Sequence, residues 1–382
     1  MKIALITNFP LTSGMGKYAY ALYAYLNEHG IQADLISLNP FKGFKQVGDG
    51  KIIVINEKIS RLNTLKNYLL NPHRISRGYD VYHITNEWLG IYAKYNKPSI
   101  VTFHDVFLKG PGSEYTRGLP SAPKLLTKRL EWSRFYHWFG DRSKMASKFA
   151  NRIICNSEFT RRNVLEVLGI EQSRVKVAYG ITSAIFKPRD KIKAREKLKL
   201  PLDSKIVLSV GSEDTPVKNI LNVVMAFHRL KRKLNDVLLI RVGNSSKKTL
   251  ALIKKLEIER SIIHMKNLSE EELALVYNAS DALCFPVLYA GFGMPVIEAM
   301  ASGCPVVASN YASLPEVAKD AGLLVDPLDV DQIASALTSI LSDEQMRIKL
   351  IRRGLKQVKE RFSMDKWCQE TLSLYEEALN NI

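Results

Sequence analysis

The chain has 382 residues, of which 46% are hydrophobic, and a formal net charge of +17. At roughly 150 residues per domain this length predicts two or three domains, and the composition excludes a disordered or low-complexity protein. The apolar run after Lys2 is too short for a secretory signal peptide. The four cysteines are scattered, without metal-binding or redox spacing. We therefore expect a cytoplasmic protein with reduced thiols.

Short buried strands alternate with helical patterns in the first half of the chain. Strands are predicted over residues 3–7, 33–38, 51–56, 81–85, 99–104, 153–156 and 175–178, with helices that include 17–29 and 159–168. This alternation is typical of a parallel, doubly wound sheet. Such sheets bind ligands outside the carboxyl ends of their strands, so residues that follow strands are the candidates for a site.

Two features follow strands of this first half. Gly14 and Gly16 come before a helix predicted from Lys17, and a glycine-rich loop at a helix N-terminus can face a phosphate or a sugar. His104 ends the fifth strand, where it can donate a hydrogen bond to a sugar hydroxyl or transfer a proton. A simple turn and a structural histidine are the alternatives.

The net positive charge is concentrated in residues 121–152. This segment has eight basic residues against Glu131 and Asp141, interleaved with six Trp, Phe and Tyr residues. A basic aromatic helix of this kind can lie on an anionic membrane surface, or can be a solvated helix with its aromatic side chains in the core. No nucleic-acid motif is present, so we expect no nucleic-acid partner.

The second half repeats the alternation. Strands are predicted over residues 206–210, 238–242, 262–265, 282–285, 306–308 and 323–325, and helices over 221–234, 248–256, 270–278, 330–341 and about 344–379. Lys218 follows the first of these strands and can bind a diphosphate as a mobile point charge. Glu213 and Asp214 are more consistent with solvated carboxylates than with metal ligands.

Residues 281–310 predict a strand, a glycine-rich loop, a short helix and a second strand. Pro295 suits the first helical position and Gly303 the position past the helix end, and such a helix start attracts anions. Glu298 would be a lone carboxylate in an apolar first turn. It therefore needs a hydrogen-bonding partner, such as sugar or ribose hydroxyls. The alternatives are a transmembrane helix and a structural cap formed by Glu298.

This stretch resembles the signature of glycosyltransferase family 4, in which a Glu is followed by Gly-Phe-Gly-x-Pro and Glu-Ala-Met-Ala-x-Gly. The matching residues are Gly291, Phe292, Gly293, Pro295, Glu298, Ala299, Met300, Ala301 and Gly303. The first Glu of the pattern falls on Ala290. Segments around Gly14, His104, Ser157 and Lys218 also resemble the family, so the resemblance covers nearly the whole chain.

The resemblance implies an α/β protein of GT-B fold. Two Rossmann-like, doubly wound domains would face each other across a cleft, with the C-terminal helix crossing back to the first domain. Residues 1–187, with about 362–382, would form the acceptor domain, and residues 188–361 the nucleotide-sugar donor domain.

The function implied is a retaining glycosyltransferase that moves a sugar from a nucleotide-sugar donor to a glycan or lipid-linked acceptor, without metal or other cofactor. The expected location is the cytoplasm, and the basic aromatic segment leaves open a peripheral position at the inner face of the membrane. Lys218 and His104 would be the catalytic residues, and Glu298 would bind ribose. The substrate-binding residues would be Gly14, Gly16, Ser212, Ala290, Gly291, Phe292, Gly293 and Glu298.

Three positions depart from the family pattern. Ala290 replaces a Glu, and Ser212 and Val217 stand where the family often has an Arg that accompanies Lys218. Two other functions therefore remain open. One is a catalytically inactive GT-B subunit that binds sugar nucleotide or supports a partner enzyme, and the other is a nucleotide-sugar epimerase.

Overall fold

The computed structural model describes residues 1–9, 13–38, 45–55, 75, 78–106, 143–212 and 216–380. The chain forms two compact units, the first made of Met1–Tyr179 with Asp365–Ile382 and the second of Gly180–Met364. The sequence predicts these limits between residues 187 and 188 and between residues 361 and 362. Each unit contains a parallel sheet flanked by helices. The predicted α/β architecture with two Rossmann-like sheets is confirmed.

The first unit contains a seven-stranded sheet with the order β3-β2-β1-β4-β5-β6-β7, in which all neighbours are parallel. The strands are β1 Lys2–Thr7, β2 Gln32–Ser37, β3 Ile52–Val54, β4 Val81–Ile84, β5 Ser99–Phe103, β6 Arg152–Cys155 and β7 Val175–Val177. The four central strands are almost fully buried, as expected for a sheet covered on both faces.

The second unit has a six-stranded parallel sheet with the order β10-β9-β8-β11-β12-β13. The strands are β8 Lys205–Val210, β9 Val237–Val242, β10 Ile262–Met265, β11 Ala282–Phe285, β12 Val306–Ser309 and β13 Gly322–Val325. The strand order reverses between β1 and β4 in one unit and between β8 and β11 in the other. Ligands of doubly wound sheets bind at such switch points.

The helices follow the predicted pattern, with different ends. They are α1 Gly14–Glu28, α2 Tyr92–Tyr95, α3 Glu158–Leu168, α4 Lys191–Lys197, α5 Ile220–Lys231, α6 Lys247–Lys255, α7 Glu270–Ala279, α8 Met294–Ala301, α9 Leu314–Ala318, α10 Val330–Ser342, α11 Glu344–Arg361 and α12 Met364–Leu379. Most of the basic aromatic segment 121–152 lies outside the described residues. Of that segment, residues 143–149 are helical.

The last helix belongs to the first unit. The Tyr375 hydroxyl of α12 lies 2.6 Å from Nδ1 of His83 on β4, whose Nε2 lies 2.7 Å from the Thr102 hydroxyl. All three side chains are buried, and burial lowers the pKa of His83 to about 3. A neutral imidazole uses one nitrogen as donor and the other as acceptor, so His83 links α12 to β5 without a buried charge.

The apolar stretch 281–310 does not form a transmembrane helix, because it is divided into β11, α8 and β12. Its first residue, Asp281, is buried and accepts hydrogen bonds from Lys191 at 2.6 Å and Arg195 at 2.8 Å. These bonds attach α4 to the start of β11. Within the described ranges, no helix has the length and apolarity needed to cross a membrane.

Candidate functional site

The loops after β8 and β11 meet at the switch point of the second unit. The Leu288 N–H donates to the Val217 carbonyl at 2.8 Å. Asn219, with a left-handed φ of 56°, donates through Nδ2 to the carbonyls of Pro286 at 2.8 Å and Pro327 at 2.7 Å. These bonds place half-buried Lys218 beside the chain that enters the glycine-rich loop.

The glycine-rich loop turns into α8 at Gly293. Its φ is +111°, and a Cβ there would lie 2.5 Å from Cδ2 of Leu314, so both backbone conformation and space require glycine. The Ser313 hydroxyl lies within hydrogen-bonding distance of the carbonyls of Ala290 at 2.9 Å and Phe292 at 2.6 Å. The loop is therefore held by a side chain that follows β12.

The Phe292 ring packs inside the unit. It is buried, its centroid lies 5.6 Å from that of Phe362, and a Cβ on Gly180 would lie 2.5 Å from its ring atoms. The ring therefore serves packing. A ligand at this position would meet the main chain of Phe292 and not its side chain. Ala290 and Gly291 are only partly buried. Their predicted contact with substrate stays a prediction.

Glu298 lies in the second turn of α8, not the first, because the helix begins at Met294. One of its oxygens accepts a hydrogen bond of 2.9 Å from the Tyr277 hydroxyl of α7. Tyr277 is fully buried, and its burial, together with the carboxylate, holds its pKa well above the usual value. Glu298 is therefore not a lone carboxylate, nor the cap of α8. It is half-buried and held in place by a neutral phenol.

Ser212 lies in a contact between the loops after β8 and β9. Its hydroxyl accepts from the Asn244 N–H at 3.3 Å. A Cβ on Gly243, whose φ is +113°, would lie 2.8 Å from the Ser212 nitrogen. Behind this contact the fully buried Arg241 donates to the carbonyls of Ser209 at 2.9 Å and Gly211 at 2.8 Å.

The predicted glycine loop of the first unit is already helical. The α1 helix begins at Gly14, three residues before the predicted start, because Ser13 caps it by accepting from the Gly16 N–H at 3.0 Å. Among the residues that the structure describes, a Cβ on Gly14 would meet no atom within 4 Å. The site is therefore a capped helix start and not a free loop.

His104 is fixed by three hydrogen bonds at the carboxyl ends of β4, β5 and β6. Its backbone N–H donates to Oε2 of Glu87 at 3.2 Å, and its backbone carbonyl accepts from Nδ2 of Asn156 at 3.1 Å. In the ring, Nε2 lies 2.9 Å from the Thr85 carbonyl. A carbonyl only accepts, so Nε2 carries the proton. Burial lowers the pKa of His104 to about 4. The half-buried ring can therefore accept a hydrogen bond at Nδ1 but cannot donate one there. This corrects the prediction that His104 donates a hydrogen bond to a sugar hydroxyl.

Glu213 and Asp214 lie outside the described residues. Within the described part of the chain, no group of three or more His, Cys, Asp and Glu side chains is arranged to hold a metal ion.

Two family models match the chain. Residues 12–181 match Glycosyltransferase Family 4 and residues 190–357 match Glycosyl transferases group 1. The two matches together cover most of both units. The chain belongs to the group 1 glycosyltransferases.

This glycosyltransferase is 27% identical over 331 residues to the MMP alpha-(1->4)-mannosyltransferase of Mycolicibacterium hassiacum, covering 83% of this chain and 76% of that relative. It is 30% identical over 233 residues to the O-antigen chain mannosyltransferase B of Escherichia coli, covering 59% of this chain and 60% of that relative. A solved sucrose-phosphate synthase from Thermosynechococcus elongatus matches over 100% of both chains, with a TM-score of 0.79 at 21% identity. The GT-B fold is thereby confirmed.

Sequence reasoning on this glycosyltransferase missed four residues that shape the two sheet edges. Arg241 carried the clearest signal, because it is a single cation in the apolar run LLIRV. Ser313, Tyr277 and Glu87 carried none, since their roles depend on contacts across the fold.

Glu87 makes the stability of this glycosyltransferase depend on pH. It is fully buried, and burial, with a smaller effect of Asp105, raises its pKa from 4.5 to about 8. Folding therefore takes up a proton between these values. The stability so gained is complete below the lower pKa and is lost as the pH rises through about 8.

Glu87→Gln removes this titration and keeps the shape of the side chain. From pH 5 to pH 9 we expect the Tm of the wild type to fall relative to that of the variant by about 5–10 °C. Thermal unfolding at matched ionic strength measures the difference. Parallel curves for the two proteins would show that Glu87 does not titrate in this range.

Proposed function

We propose that this protein is a retaining glycosyltransferase that moves a sugar from a nucleotide-sugar donor to an acceptor hydroxyl. The observation that carries the proposal is the assembly of Lys218, the turn at Gly293 and Glu298 at one sheet edge of the second unit. A cation and backbone N–H groups suit a diphosphate, and a carboxylate suits the ribose hydroxyls.

The proposed reaction develops negative charge on the diphosphate as its oxygen separates from the anomeric carbon. Lys218 and the N–H groups of the turn stabilise that charge. The acceptor oxygen forms the new bond to the same face of the anomeric carbon, and its proton passes to the departing phosphate oxygen. We assign no protein group as general base.

In this proposal the first unit binds the acceptor, and His104 is a positioning residue of that unit. With its proton fixed on Nε2 by Thr85, it would orient a substrate hydroxyl by accepting a hydrogen bond at Nδ1. A neutral imidazole throughout the assay range follows from its lowered pKa. The pH–rate profile should therefore show no limb from His104 near pH 6.5.

The proposal is tested by incubating the protein with a panel of nucleotide sugars, with and without membrane extract. Nucleotide-activated mannose comes first, because two relatives are named mannosyltransferases. Steady nucleotide release with transfer of the sugar supports the proposal. Isomerisation alone indicates an epimerase, and binding alone an inactive subunit. Each reaction is repeated in EDTA, where we expect turnover to persist because Lys218 serves as the cation.

Ala290→Glu should change the donor preference of this enzyme. Ala290 is partly exposed and its carbonyl is held by Ser313, so a longer side chain can extend outward while the loop keeps its shape. A carboxylate adds a hydrogen-bond acceptor that alanine lacks, and an unmatched polar group in a closed site discriminates strongly. The donor panel on both proteins measures the change. Identical preference and turnover would remove position 290 from the sugar site.

We also propose an anionic membrane surface as the place of the acceptor. The segment 121–152 has eight basic and two acidic residues, and each basic residue near such a surface contributes about 1 kcal/mol. Wild type should bind anionic liposomes and be released by salt. Charge reversal at Arg129, Arg134 and Lys144 should reduce binding strongly.

The matched control for this prediction reverses three exposed charges on α11, at Lys349, Arg352 and Lys356. It alters the net charge equally and should leave most of the liposome binding intact. Equal losses in both triple variants would mean that net charge alone, and not this segment, attracts the vesicles.

A further inference from the structure

Arg241 is a fully buried cation at the carboxyl end of β9, beneath the loops that follow β8 and β9. Its Nη1 donates to the carbonyl of Ser209 at 2.9 Å, and its Nη2 to the carbonyls of Gly211 at 2.8 Å and Asn244 at 3.4 Å. One planar guanidinium thus bonds to both loops. Lysine has no such planar fork, so it is a poor substitute.

These bonds decide which way the loop N–H groups point. In a trans peptide the carbonyl of one residue and the N–H of the next point in opposite directions. Because the carbonyls of Gly211 and Asn244 face the guanidinium, the N–H groups of Ser212 and Ser245 point away from it, on partly exposed residues.

Those two N–H groups make no hydrogen bond within the described residues. In the same part of the chain, the buried Oγ of Ser245 also has no partner. The aliphatic part of the Lys218 side chain lies beside Gly211, since a Cβ on Gly211 would lie 3.6 Å from Cδ of Lys218. Two N–H donors, an unpartnered hydroxyl and the side chain of a lysine therefore lie close to the contact between the two loops, and groups of this kind suit phosphate oxygens.

We propose that Ser212, Ser245 and Lys218 form a phosphate cradle, and that Arg241 is the positioning residue that gives it its shape. The cradle takes the diphosphate of the donor, and so this inference rests on the proposed function. The buried guanidinium adds positive potential behind the N–H groups. The loop after β9 thereby becomes part of the donor site.

The test compares the affinities of UDP, GDP, ADP and dTDP with those of the matching nucleosides by calorimetry. Arg241→Met should lower the affinity of the best diphosphate by about tenfold, because the two loops lose the guanidinium that fixes their N–H groups, and should leave nucleoside affinity unchanged. The matched control is Arg195→Met. Arg195 is a second buried arginine of this unit and bonds to the carbonyls of Ala279 and Ser204. This variant should keep the wild-type preference for the diphosphate.

Ser245→Ala tests the cradle without removing a buried charge, and should lower diphosphate affinity alone by about threefold. A full diphosphate preference in Arg241→Met or in Ser245→Ala would overturn the inference. So would an equal loss in Arg195→Met, because the effect would then be general destabilisation. If the wild type prefers no diphosphate over its nucleoside, the proposed donor is wrong. If the wild type prefers the diphosphate but the variants do not lose that preference as predicted, the proposed donor stands and the phosphate cradle is wrong.

Discussion

Replacing Glu298 by alanine should weaken binding of the nucleotide-sugar donor by about a hundredfold or more. Two hydrogen bonds from ribose hydroxyls to a carboxylate are each worth about 1.5–3 kcal/mol. The helix α8 should survive, because Glu298 is half-buried and does not cap it. Calorimetry with the free nucleoside diphosphate measures the loss.

Tyr277→Phe is the matched variant for this prediction, since it removes only the hydroxyl that holds Glu298 at 2.9 Å. We expect a smaller loss of about threefold to tenfold, because the carboxylate remains but is less well fixed. Unchanged donor affinity in a folded Glu298→Ala protein would show that this carboxylate does not bind ribose.

Lys218→Ala should lower kcat by about a hundredfold to a thousandfold, the range found when a donor to a developing negative charge is removed. The effect on donor KM should be smaller, because the charge on the diphosphate increases as the glycosidic bond breaks. Single-turnover kinetics at saturating donor separates the two effects. A variant in which KM rises and kcat is unchanged would show that Lys218 binds the ground state only.

The matched control for Lys218 is Lys231→Ala, at the end of the helix α5 that follows Lys218. It removes the same charge from the same part of the chain, away from the loop after β8. Wild-type kinetics are expected. An equal fall in kcat would attribute the effect of Lys218→Ala to net charge or to α5 itself.

The strands were predicted within two residues because apolar runs such as LLIRV and ALCF stand out from their neighbours and are directly followed by Gly243 and Pro286. The start of α1 was missed by three residues because the cap comes from Ser13, outside the apolar pattern. Helix starts depend on such single side-chain bonds, which hydrophobic periodicity does not report.

The candidate site was predictable where a residue acts through its own backbone, as Gly293 does with its left-handed φ. It was not predictable where a role depends on a partner distant in sequence. Phe292 sits in the recognised motif but packs on Gly180 and Phe362. His104 is limited to accepting at Nδ1 by the Thr85 carbonyl of the neighbouring strand end.

The most direct test of the central claim is a proton NMR time course of the wild type with an α-linked nucleotide sugar and an acceptor extract. We predict equal amounts of nucleoside diphosphate and a new α-linked product, and greatly slowed formation of both with Lys218→Ala. A β-linked product would contradict the retaining mechanism. Release of free sugar alone, or no release from any donor of the panel, would contradict the transferase.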